Sequence, residues 1–96
     1  HLAALVLDAD RAAHDDLRAR ALAPMAALRP ATAERLEETL RSWLLHQGRR
    51  EDVAAELFVH AQTVRYRMGQ IRELYGDTLD DPDVVRDLVI ALARPR

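Results

Sequence analysis

HAQTVRYRMGQIRELYG, residues 60–76, decides how the rest of this 96-residue chain is read. The segment holds Arg65, Arg67 and Arg72 and no acid before Glu73, inside a chain of formal charge −2. On a wheel of about 100° per residue, Val64, Met68, Ile71 and Tyr75 share one apolar stripe, with Leu74 at its margin. Gln62, Arg65, Tyr66, Gly69, Gln70 and Glu73 take the opposite arc. Arg67 projects from the edge of the stripe, placed for an ion pair with Glu56 or Asp52. The pattern predicts a helix over 61–75 closed by Gly76.

The preceding EDVAAELF, residues 51–58, predicts a short helix over 50–58. Val53, Ala54 and Leu57 point inward, Glu51, Asp52 and Glu56 outward, and the leading acids suit the helix dipole. Phe58, where many such turns carry glycine, is expected to anchor the turn in the core. Two short helices, a tight turn, and positive charge gathered on the second: this is the pattern of a helix-turn-helix DNA reader.

Working outward, Leu2 to Leu7 is continuously apolar, a buried strand from a preceding domain or the start of a helix. Asp8 or Asp10 can cap a helix running to about Leu22. Pro24 and Pro30 then leave room for at most one helical turn. Thr32 is placed to cap a helix over 33–47, where Leu36, Leu40, Trp43, Leu44 and Gln47 form one face and Gly48 follows the end. Trp43, within that stripe, reads as core. Past Gly76, Leu79 is expected to plug into the core, and Asp81-Pro82 supplies a cap and first turn. Val85, Leu88, Val89 and Leu92, widened by Val84, Ile90 and Ala91, give the last helix an apolar face over more than half its girth. Such a helix is deeply buried or covered by a partner. The expectation is an all-α domain of about five helices, residues 21–96, with residues 1–20 a linker or remnant of a preceding domain.

The bulk numbers narrow the function. There is no cysteine, so disulfides and thiolate metal sites are excluded. No apolar run reaches the roughly 20 residues that span a bilayer, and HLAALVLDAD lacks the basic start of a signal peptide. A cytoplasmic protein is expected. The net acidity argues against a generic nucleic-acid binder, but its distribution matters more. Residues 61–72 carry three arginines and no acid, and residues 77–87 carry five aspartates against Arg86. His1, His14, His46 and His60 show no short metal-ligand spacing. Asp77, Asp80, Asp81 and Asp83 lack the glycine and glutamate of an EF-hand loop. No phosphate loop or nucleophile elbow occurs. The reading is therefore not an enzyme, with no cofactor and no metal.

LEETLRSWLLHQG, AAELFVHAQTVRYRMGQIRELYG and LDDPDVVRDLVIAL occur in that order. Together they closely resemble the C-terminal helix-turn-helix domain of PucR/CdaR-type bacterial transcription regulators, over about Ala21 to Arg94. The turn also looks like the Fis-type helix-turn-helix. The resemblance implies a regulator whose sensory or GGDEF-like regions precede this domain and bind any small-molecule effector. One departure concerns the pair after the turn histidine, commonly Arg-Asn or Pro-Asn in the family and Ala61-Gln62 here. Glutamine reaches further than asparagine toward adenine.

In this reading the helix over about 61–75 enters the major groove of double-stranded DNA. Gln62 and Thr63 stand at its start for base-edge or phosphate contacts. Arg65 forks onto guanine or clamps a phosphate, and Tyr66 donates to phosphate or packs on a thymine methyl. His60 either donates to phosphate or caps the helix, and Arg72 is the distal backbone contact. One unit touches few base pairs, so a homodimer on two half-sites is expected, with the last helix or Leu2 to Leu7 able to contribute. The rival is a helical protein–protein interaction module without DNA binding.

Overall fold

A computed structural model of the chain describes residues 2–94, with side chains from Ala9 onward. Five α-helices occur among the described residues: α1 (Leu2–Ala21), α2 (Pro30–Leu45), α3 (Arg50–Leu57), α4 (Ala61–Tyr75) and α5 (Pro82–Leu92). The all-α expectation holds, and no described helix is long and apolar enough to cross a membrane.

The apolar opening is helical, not a strand, and α1 runs through Asp8 and Asp10 without a cap at either. The side chains of Leu2 to Leu7 lie outside those described, and with them their suggested part in dimerisation. The last turns of α1 pack on the domain. Arg18 donates from Nη1 to the Ala91 carbonyl at 3.1 Å and from Nη2 to Glu37 Oε1 at 2.9 Å. One guanidinium thus caps the end of α5, where carbonyls lack helical partners, and ties it to α2.

Between α1 and α2 the chain makes a single 3₁₀ turn, Ala23–Met25, with Pro24 inside it. α2 then starts three residues earlier than a cap at Thr32 would have it, with Arg29 at N-cap and Pro30 inside the first turn. Proline's fixed φ is already helical and its missing N–H costs nothing there. The C-terminus of α2 also corrects the reading. The helix ends at Leu45, and Gln47 and Gly48 both turn left-handed, with φ of 54° and 79°. A Cβ at Gly48 would lie 3.3 Å from Trp43 Cζ2, so the ring itself fills that corner.

Leu36, Leu40, Val53, Val64, Met68, Ile71 and Leu88 are fully buried and draw on α2, α3, α4 and α5. Each such side chain contributes about 1.5–3 kcal/mol of apolar burial. Trp43, Leu57, Val59 and Leu79 pack at the margin of this cluster. α5 starts as expected, Asp81 Oδ1 accepting from the Asp83 amide at 2.9 Å. Its broad apolar face is buried along Leu88, Ala91 and Leu92, but Val89 and Ile90 remain exposed.

Candidate nucleic-acid interface

α3 and α4 are joined by three residues, Phe58, Val59 and His60. Phe58 adopts φ 56°, ψ 43°, the left-handed conformation that ends α3. The expectation that its ring anchors the core is overturned, because Phe58 is 95% exposed. A left-handed residue turns its side chain away from the helix it terminates. Val59 takes the inward place instead, its amide donating to the Ala54 carbonyl at 3.1 Å. The small Ala54 gives the turn room to fold back over α3.

His60 occupies the N-cap of α4 in extended conformation, and its carbonyl accepts from the Thr63 amide at 2.9 Å. Its side chain makes no cap hydrogen bond, so the capping alternative is not realised. The first amides of α4 are left without a side-chain acceptor, a ready place for an anion.

α4 shows its two faces clearly. Val64 is 0% exposed and Met68, Ile71 and Tyr75 are buried, while Tyr66, two residues on from Val64, is 68% exposed. Gln62, Arg65, Gly69 and Glu73 lie exposed on the same side as Tyr66, with Thr63 and Gln70 half-buried at its edge. His60, Gln62, Arg65 and Tyr66 therefore share a surface that begins at the turn. Among the described residues Arg65 makes no ion pair.

Two arginines on α4 behave differently from expectation. Arg67 pairs with neither Glu56 nor Asp52. It faces α2, its Nη1 donating to Thr39 Oγ1 at 3.4 Å. Asp52 is engaged by Arg49 Nε at 2.7 Å. Arg72 is exposed but lies over the Trp43 ring, its guanidinium carbon 5.3 Å from the centroid, a cation–π contact that holds it near α2.

Sequence reasoning missed the contribution of α2. Thr32 and Arg35 line a hollow together with Thr63, Tyr66 and Arg67. Arg35, exposed, thus adds a positive charge beside the first turns of α4. Nothing local in the sequence marks it, since the packing of α2 against α4 creates the neighbourhood.

Behind the motif, His46 Nε2 lies 3.5 Å from Glu56 Oε1. The Ser42 hydroxyl is buried and has no partner at hydrogen-bonding distance, yet it faces this carboxylate. Ser42 is the largest influence holding Glu56 below the usual carboxylate range; desolvation opposes it, and His46 and Arg41 reinforce it.

The sequence pattern that defines the PucR C-terminal helix-turn-helix domain matches residues 31–93. A protein of Thermomonospora curvata, described as the uncharacterized protein in the pkwA 5′ region, is 39% identical over 83 residues. The match covers 83% of this chain and 46% of the relative, so the chain spans about half the length of that protein. No solved structure matches the chain.

Proposed function

The chain belongs to the family of PucR C-terminal helix-turn-helix domains, a DNA-binding family of transcription regulation, and on that premise we propose how it reads a duplex. α4 lies in the major groove with its N-terminal half toward the base edges. The observation that carries this is the rigid division of α4, Val64 sealed in the core and Arg65 and Tyr66 projecting beside it. Gln62 and Thr63 meet base edges or the adjoining phosphate, and Arg65 forks onto guanine or clamps a phosphate. Tyr66 packs on sugar or a thymine methyl. His60 and Arg35 add phosphate contacts from the turn and from α2. Arg72, held over Trp43, is the weakest member and reaches only the backbone.

Two copies act together in this reading, on half-sites about 34 Å or a multiple apart. Exposed Leu45 on α2 and Val89 on α5 line one hollow, an aliphatic surface that supports such pairing. The same surface favours the rival reading, a module that binds protein and not DNA. In this reading residues 1–20 are a linker or the remnant of a preceding domain, and any effector binds upstream of them.

Titrating duplex affinity against salt separates the two readings. A DNA reader gives log affinity falling linearly with log salt, with a slope of about −0.9 per phosphate neutralised. An interaction module shows no duplex affinity above background at low salt.

A further inference from the structure

Gly69 stands in the middle of α4, exposed to solvent. Glycine costs about 1 kcal/mol relative to alanine in a helix interior. Nothing among the described residues asks for it. The positive-φ residues of this chain are elsewhere, and a Cβ at Gly69 would meet no atom within 4 Å. The space a side chain would take at Gly69 is open, on the side where a partner would lie.

Its position says where. Gly69 follows Gln62 by two helical turns, about 10 Å along the axis and nearly on the same line. Gln62, Arg65, Tyr66, Gln70 and Glu73 rim a hollow of about 490 Å³, and Gly69 is its floor. The rim carries one arginine, one glutamate and two amides. A phosphate would meet Glu73 unfavourably. Base edges suit the set better, because arginine reads guanine, amides read adenine and a carboxylate accepts from the cytosine amino group.

We propose that Gly69 is a positioning residue for DNA: its bare backbone lets α4 lie flush along the groove floor, bringing the base edges about two turns beyond Gln62 into contact. A side chain there would tip the C-terminal half of the helix away from the bases. This rests on α4 being the DNA reader.

The test uses Gly69→Ala and Gly69→Gln beside the wild type. The probes are a duplex that the wild type enriches from a randomised pool and the unselected pool itself. Both variants should melt higher than wild type, because the helix gains a better former and no clash. Both should bind the selected duplex about tenfold more weakly or worse, the equivalent of ~1.4 kcal/mol. The slope against salt should stay unchanged, since no charge is removed, and affinity for the unselected pool should move little. A stabilised Gly69→Ala that binds the selected duplex as tightly as wild type overturns the inference and leaves the DNA reading standing. A destabilised Gly69→Ala overturns it too, by showing a structural need. A wild type that enriches no duplex removes both.

Discussion

The Tyr75 hydroxyl, in the last turn of α4, donates to the Ala21 carbonyl at the end of α1 at 2.7 Å. This bond pins the reading helix to the segment that leads into the domain. Burial, and secondarily the charge of Glu37, push the phenol up to about 12. A folded pKa above the unfolded value of 10.0 means that the bond's contribution is complete below about pH 10 and is lost as pH rises through 12. We predict that Tyr75→Phe costs about 1 kcal/mol in urea unfolding at pH 7. Its stability should also decline less than wild type between pH 10 and 12. Equal alkaline loss in both proteins would show that Tyr75 does not govern it.

Phe58 holds a strained conformation with no packing in return. Left-handed backbone costs a non-glycine residue about 1–2 kcal/mol, and glycine returns part of that gain through its more mobile unfolded chain. We predict that Phe58→Gly is stabilising by about 0.5–1 kcal/mol, seen as a rise of a few degrees in melting temperature. A less stable Phe58→Gly would mean that the ring is packed after all.

Val64 and Arg65 are neighbours in sequence about 100° apart around α4, the first buried and the second exposed. Val64→Asp buries an unpaired charge, and the expected result is loss of the cooperative helical fold by circular dichroism. Arg65→Ala should keep the melting temperature within the few tenths of a kcal/mol typical of surface changes. It should weaken duplex binding and reduce the salt slope by about 1 if the guanidinium meets a phosphate. A folded Val64→Asp or an unfolded Arg65→Ala contradicts the assignment of faces.

Glu56 is held below its ordinary value of 4.5 by Ser42 first, with His46 and Arg41 adding to the effect. A depressed folded pKa contributes stability above about pH 4.5 that is lost as pH falls through the folded value. Its side chain is about a third exposed, so solvent screens the effect and the loss is small. Glu56→Gln should be slightly less stable than wild type at pH 7, and the gap should close in acid. A gap that persists at pH 3 would assign the effect to packing and not to charge.

How much of this was legible in the sequence follows from which forces are local. The stripe of Val64, Met68, Ile71 and Tyr75 was legible because a 3.6-residue period and burial carry the same information. Asp81-Pro82 was legible because capping chemistry is local. Phe58 was misread because hydrophobicity argues for burial, whereas the left-handed geometry needed to end α3 sends the side chain outward. Arg67 was misassigned for a different reason. A wheel fixes the direction of a side chain but not which helix stands there, and α2 stands there, not α3. Arg35 and the Arg72–Trp43 contact depend on tertiary packing and leave no trace in local pattern.

The central claim is that the outward face of α4 meets the duplex. The most direct measurement is a backbone amide NMR titration of the protein with a short duplex at low salt. The account predicts shift changes concentrated at His60, Gln62, Thr63, Arg65, Tyr66 and Gly69, with Arg35 joining from α2 and α5 silent. Changes centred on Leu45, Val89 and Ile90, or none at all, would contradict it.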